Sequence, residues 1–310
     1  VPEFNPGTSP RSWYQYVLIL ASIVFAAVSV GFIGTIVWNS LPDFAHHTGT
    51  LLGGNGWQSP TGPFGGLAMI VGTLETSIVA LIVAVVIGLG TSISIVFILP
   101  RRFRNVVATL VELLAAVPSV VYGLWGFLVL APWMIKTVLP WLDKWPFSHE
   151  LFGNPGQQDG QSLMLASIVL SVMILPTFVA ISREVISVVP NDLVEASLSL
   201  GATRWQVIRE VVLPTAKIGL FGATFLALAR ATGETVAVAL VAGGVANVQF
   251  HLFYPGTSIA SWIATEFGEA QGNEIAALMA LGVLLMLLNF GLSLISRSLV
   301  VRQRRALAVV

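Results

Sequence analysis

From Thr76 to Leu99 the chain carries no charged residue. A stretch of that length has no polar side to turn toward water, as an ordinary surface helix must. It does satisfy the requirement for a bilayer-spanning helix, about 20 consecutive apolar residues. Five further runs have the same character: Val17 to Val37, Val106 to Leu130 with Pro118 inside it, Ser162 to Ile181, Ile218 to Val241 and Ile275 to Ile295. Of the 310 residues, 55% are hydrophobic and 10% charged, against about 25% charged in a soluble domain. So little polar surface cannot cover water-facing cores. The chain reads as an all-α integral membrane protein with six transmembrane helices. A single membrane domain occupies 17–310, behind a tail at 1–16.

The first run is longer than the apolar core of a cleaved signal peptide, about 7–15 residues, and only Arg11 precedes it. It reads as a retained helix. The opening segment, Val1 to Pro10, has no periodicity. Six spans place both termini on one side, and the distribution of basic residues says which. Arg11, the group Arg101, Arg102 and Arg104, the loop residues Arg183, Arg204, Arg209 and Lys217, and the C-terminal Arg297, Arg302, Arg304 and Arg305 share a side. Lys136 and Lys144 fall on the other, and Arg230 falls inside a span. Both termini are therefore expected in the cytoplasm. Three outer loops follow: a glycine- and proline-rich one from Leu41 to Ile70, one from Ala131 to Gln161, and one from Gly244 to Glu274. In the second, Trp133, Trp141 and Trp145 beside two lysines suit a helix lying among lipid headgroups.

The chemistry that most membrane enzymes need is missing. No His pair has the spacing of a zinc protease, because His46, His47, His149 and His251 all fall in outer loops. Asp43, Asp143, Asp159 and Asp192 lie in loops, so no aspartate is available within a span. No glycine loop ends in Lys-Ser or Lys-Thr to cradle phosphates, so the chain itself is not expected to hydrolyse ATP. There is no cysteine, and Lys plus Arg equal Asp plus Glu at 15 each, so net charge names no nucleic acid or other charged partner. Membrane lipid is the one partner that composition implies. No metal site and no bound cofactor are expected.

Arg230 is the unusual residue. It lies roughly twelve residues, about 18 Å, into the fifth run, near the middle of a hydrocarbon core about 30 Å thick. Its placement there costs at least about 2.5–3.5 kcal/mol. Glu234 follows at i+4, within reach of a salt bridge on a continuous helix. Two readings are open. The charges either cancel one another as a structural pair, or they face a transport path, where the forked guanidinium suits a tetrahedral oxyanion. Glu75 is expected at the outer edge of span two, Glu112 inside span three near Arg102 and Arg104, and Asn289 in an interhelical hydrogen bond.

Between spans four and five, residues 183–217 read as two short helices. Asn191 is a plausible cap for the first, which ends near Leu200 and Gly201. Thr203 and Gln206 have the spacing of a capping box for the second, which is expected to stop at Pro214. Leu193, Ala196, Ser197 and Leu200 fall on one stripe of the first helix. It serves either as a docking face or as a helix resting on the bilayer.

In this stretch Glu195-Ala196-Ser197, then Gly201, then Val211, Leu213 and Pro214 resemble the EAA loop of ABC-importer permeases, with Ser197 and Val211 as mild departures. The block Leu113-Leu114-Ala115-Ala116-Val117-Pro118-Ser119-Val120-Val121-Tyr122-Gly123 resembles permeases of phosphate-specific transport systems, and Leu124-Trp125-Gly126 is closer to their PstC than their PstA subunits. Gly72-Thr73-Leu74, Thr76-Ser77 and Arg230-Ala231-Thr232-Gly233-Glu234 are similar to that family too. The resemblance implies a type I importer permease, with Arg230 and Glu234 in the substrate path. Glu195, Ala196, Ser197, Gly201, Leu213 and Pro214 would then belong to the loop that docks a cytoplasmic ATPase. It further implies a second permease subunit (PstA-like), an ATPase dimer (PstB-like) holding ATP and Mg, and an extracytoplasmic phosphate-binding protein (PstS-like). Alternatives are a permease for sulfate or molybdate, an ion-coupled secondary transporter, and a membrane scaffold.

Overall fold

The computed structural model describes residues 13–59, 62–145, 160–248 and 251–307. Val1 to Pro10, Arg11, His149 and Asp159 lie outside the described residues. In chain order the helices are α1 (Trp13–Gly53), α2 (Leu67–Ile98), α3 (Arg101–Ala115), α4 (Ser119–Leu142), α5 (Leu163–Ser187), α6 (Asn191–Ser199), α7 (Arg204–Thr232), α8 (Val236–Val241), α9 (Ile259–Glu266) and α10 (Asn273–Leu307). Among the described residues six stretches are long and apolar enough to cross a membrane: the first part of α1, then α2, α4, α5, α7 and most of α10.

α5 forms the centre of the bundle, and α2 and α7 pack against it. Small residues bring these helices together, as expected where apolar lipid supplies no force to drive helices into contact. Ala80 and Ala84 of α2 and Ala223, Ala227 and Ala231 of α7 are buried with Val169, Leu170, Ile174 and Phe178 of α5. At Gly88 a methyl group would lie 2.5 Å from the Phe178 ring. α1 leans on α10 and leaves its other sides exposed.

Prolines explain where the helix boundaries depart from the sequence reading. Among the described residues four π turns occur, at Ser94–Ile98, Gly126–Leu130, Met134–Val138 and Ile208–Val212. Each lies just ahead of a proline, at Pro100, Pro132, Pro140 and Pro214. In each, the residue before the proline donates its N–H five residues back, as Leu213 does to Ile208. A proline ring displaces the carbonyl four residues earlier and offers no N–H; the wider turn accommodates both defects. Helices consequently run through Pro132, Pro140 and Pro214, and the expected stop at Pro214 does not occur.

The third span is accordingly Ser119–Leu142, not 106–130. Val117 precedes Pro118, which disfavours helical geometry, so Arg101–Ala115 is a separate amphipathic helix with Phe103, Val106, Leu110 and Leu113 exposed along one side. Trp133 and Trp141 belong to the end of α4, not to a headgroup-level helix. The first outer loop is shorter than read, because α1 continues past His46 and His47 to Gly53 and α2 begins at Leu67. Glu75 thereby sits inside α2, not at its edge.

At the end of the bundle where α2 and α5 begin, residues 251–258 are laid across both helices. The carbonyls of Val241, Tyr254 and Leu252 accept from the N–H groups of Ser162, Leu163 and Met164 at 3.0, 3.2 and 2.6 Å. These are the amides that the first turn of α5 leaves without internal partners. Thr73 Oγ1 accepts from Ile259 N at 2.9 Å. The buried Glu274 carboxylate receives Trp57 Nε1 at 2.9 Å and Ser59 Oγ at 2.7 Å, tying the 54–66 loop to the start of α10.

Candidate functional site

The fifth span is discontinuous. α7 ends at Thr232, Gly233 to Thr235 leave the helix, and α8 resumes at Val236. Two contacts with α5 give the height of the break. Gly219 of α7 meets Val185 near one end of α5, and Val241 at the end of α8 bonds Ser162 at the other. Arg230 lies midway between Gly219 and Val241 along the chain, so it is placed halfway along the bundle. Non-helical backbone at membrane depth is tolerated where it is enclosed by protein or lines a wet cavity.

The arrangement around Arg230 differs from the expected one. Among the described residues Arg230 and Glu234 form no ion pair, because the helix ends between them and the i+4 relation is lost. Glu234 Oε1 instead accepts from Ala237 N at 3.4 Å, at the start of α8. Arg230 occupies the last turn of α7, where the negative end of the helix dipole favours a cation. Its side chain is exposed on this subunit.

Three neighbours frame the break. Thr232 Oγ1 donates to Asn289 Oδ1 at 2.6 Å, fastening the end of α7 to α10; this is the interhelical bond expected of Asn289. Tyr122 of α4 lies within electrostatic range of Arg230, and its hydroxyl donates to Leu114 O at 2.7 Å. Sequence reading quoted Tyr122 only within a motif. The signal that identifies it is a tyrosine inside an apolar span, whose hydroxyl needs a partner once buried. Gly123, next to it, lets α4 approach α8: a methyl there would lie 2.7 Å from Leu240 Cδ1 and 3.0 Å from Ala237 Cα.

The other candidate residues form the extension between α5 and α7. α6 buries none of its residues. Pro190, not Asn191, precedes its first turn, and no side chain caps it. Gly201 has φ +87, the left-handed turn expected after a helix, and Ala202 N bonds back to Ser197 O at 3.2 Å. The capping box forms as read, with Thr203 N donating to Gln206 Oε1 at 2.8 Å and Gln206 N donating to Thr203 Oγ1 at 3.4 Å. Glu195, Ala196 and Leu200 are exposed, and Ser197 is half-buried. Leu213 and Pro214 open the continuous part of α7, which fixes the extension to the same helix that carries Arg230. Glu112, expected near Arg102 or Arg104, pairs with Arg183 of α5 at 2.9 Å.

A basic residue at a mid-bundle helix break, joined through one helix to an exposed helical extension, defines a polytopic membrane permease subunit. The profile of the family described as binding-protein-dependent transport system inner membrane component matches residues 84–305. The chain belongs to this family, in its PstC-like branch. It is 38% identical to the phosphate transport system permease protein PstC of Pasteurella multocida, covering 94% of this chain and 91% of that protein. The PstC of Mesorhizobium japonicum is 38% identical over 92% of this chain and 86% of its own. A second PstC of Mycobacterium bovis is 41% identical over 73% and 72%. Two solved structures share the fold. A chain of a bacterial ABC transporter that imports alginate superposes with TM-score 0.59 at 18% identity, covering 94% of this chain and 96% of that one. A chain of the inward-facing MetNI methionine ABC transporter gives 0.53 at 22%, covering 74% and 92%.

Proposed function

We propose that this chain forms one half of the membrane pathway of an ATP-driven importer of inorganic phosphate. The observation that carries the reading is Arg230: an exposed guanidinium at mid-bundle height, beside a helix break and without an ion pair to Glu234. Its forked donors match a tetrahedral oxyanion. A charge at membrane depth is costly enough that it generally faces a path or a partner. The PstC relatives, named for phosphate transport, support the choice of anion.

In this reading a second, PstA-like permease subunit covers the exposed side of Arg230 and completes the path. An extracytoplasmic phosphate-binding protein delivers substrate at the 243–258 side. A PstB-like ATPase dimer, which holds the ATP and Mg, grips the extension from Asn191 to Leu213, with Glu195, Ala196, Ser197 and Gly201 at the contact. Closure of the ATPases moves α6, and the continuous helix from Arg204 to Thr232 transmits that motion to Arg230. The protein sits in the inner or plasma membrane of a prokaryote. Its extension and both termini face the cytoplasm, the side rich in Arg.

The test is labelled phosphate uptake in cells expressing the chain with its partner subunits, beside Arg230→Gln at matched membrane levels. Uptake is expected to require ATP, to resist excess sulfate, and to fall to background in the variant. Full uptake by Arg230→Gln would remove that residue from the path. Transport of sulfate or molybdate in place of phosphate would replace the substrate, and gradient-driven transport by this chain alone would overturn the ABC reading.

A further inference from the structure

A groove of about 250 Å³ runs between α7 and α10, on the extension side of the break in the fifth span. Gly222 and Leu226 of α7 and Ser293, Ser296 and Arg297 of α10 line it, with Phe225 and Leu292 in its apolar walls. Two spacings give its course. On α7, Gly222, Leu226 and Arg230 recur every four residues and share a side, so Arg230 stands about 12 Å beyond Gly222. On α10, which runs the other way, Asn289, Ser293 and Arg297 recur in the same manner, and Arg297 stands about 12 Å from Asn289. Asn289 is bonded to Thr232 beside the break, and Gly222 and Arg297 both line the groove. The groove therefore descends from the level of Arg230 to Arg297, at the extension end of the sixth span.

Its furnishings suit a passing anion. Arg297 is exposed and, among the described residues, has neither an ion pair nor a hydrogen bond. Ser293 Oγ donates to Asn289 O at 2.9 Å, while Ser296 Oγ is free among the described residues. At Gly222 nothing lies within 4 Å of where a side chain would start, so the floor of the groove stays clear. An anion held by Arg230 alone would have nowhere to go. Conduction needs binding weak enough, or spread over enough sites, to let the ion leave.

We propose that this groove is the extension-side half of the anion path, in which the transported oxyanion passes from Arg230 along Ser293 and Ser296 to Arg297. The inference rests on the transport reading of Arg230 and adds the residues that follow it. The second permease subunit then closes the open side of the groove.

The chain has no cysteine, so Ser293→Cys, Ser296→Cys and Leu294→Cys can each be followed by thiol labelling. The test uses the importer assembled with cysteine-free partner subunits in nanodiscs, where both faces are open to reagent. Leu294 is 51% exposed on another side of α10. The anionic reagent sulfonatoethyl methanethiosulfonate is expected to label Ser293→Cys and Ser296→Cys, more slowly when phosphate is present, and to leave Leu294→Cys unlabelled. The labelled importer, moved into liposomes, should no longer take up phosphate. Arg297→Gln added to Ser296→Cys should slow the anionic reagent about tenfold relative to a cationic one, an effect of charge in a cleft that misfolding does not mimic. Reaction of both cysteines only with membrane-permeant N-ethylmaleimide would make the groove a lipid or subunit contact and overturn the proposal. Labelling that leaves uptake intact, or an unchanged ratio in Arg297→Gln, would do the same. Uptake lost in Arg230→Gln with both cysteines inert would remove the groove alone and leave the transport reading standing. Protection by sulfate in place of phosphate would change the substrate and keep the groove in the path.

Discussion

A guanidinium halfway along an apolar bundle is accommodated here by its position on a helix rather than by a carboxylate. Arg230 ends α7, where unsatisfied carbonyls supply partial negative charge. Glu234 is engaged at the start of α8. This separates the roles of the two residues experimentally. Glu234→Gln keeps an oxygen to accept from Ala237 and removes the charge, so thermal stability in detergent should be unchanged while phosphate uptake falls. A decrease in stability equal to that of Glu234→Ala would mean that the charge, not the acceptor, secures α8. Asn289→Ala removes the bond from Thr232 and should cost about 0.6 kcal/mol, the average for such bonds within membranes, read as a small shift in the denaturation midpoint. Arg230 and Asn289 were legible because polar residues in apolar runs stand out. The missing Arg230–Glu234 pair was not, since i+4 reasoning assumes an unbroken helix.

Among the elements, the π turns decide the geometry of the extension. Pro214 would stop a regular helix, yet Ile208–Val212 widens ahead of it and α7 continues. The extension is therefore rigidly joined to the helix that carries Arg230. Gly201 provides the turn between α6 and α7 at φ +87, with open space where a side chain would go. Gly201→Asp or Glu195→Lys should leave the chain in the membrane but uncouple ATP hydrolysis from uptake in the assembled importer; wild-type coupling in both would sink the assignment of the extension. At the opposite end, burial pushes the Glu266 carboxyl above its ordinary value, and Glu274 and Glu269 add to the rise. The folded state therefore holds that proton more tightly than the unfolded chain, and stability falls as pH rises from the ordinary carboxylate value through the raised one. Glu266→Gln should raise the thermal midpoint at neutral pH and change nothing well below pH 4.5.

At the scale of the molecule, six spans and the Arg-rich side define an orientation that labelling can check. The chain has no cysteine, so one introduced at Leu200, 91% exposed on the extension, is unique. A membrane-impermeant maleimide should label it in inverted vesicles and not in intact cells, and labelling from outside would reverse the topology. At the opposite end Thr257 packs tightly on α2. A methyl on Gly72 would lie 2.0 Å from Thr257 O, so Gly72→Ala must displace backbone. The expected loss of stability is about 1–3 kcal/mol, measured as a lower denaturation midpoint.

Sequence alone determined the membrane class, the number of spans, the charged residue at mid-depth, and the Gly201 turn with its capping box, because each depends on local composition or on a few neighbouring residues. Tertiary structure decided the rest. Ahead of Pro132, Pro140 and Pro214 the turn widens and the helix continues, while Pro42 and Pro176 lie inside α1 and α5 with no π turn, so the limits of α4 and α7 could not be read from the prolines themselves. Whether Glu112 meets Arg104 or Arg183 depends on how α3 lies against α5. The placement of Tyr122 near Arg230, and of Gly222 and Arg297 along one groove, depends on contacts between residues far apart in the chain, which no local pattern encodes.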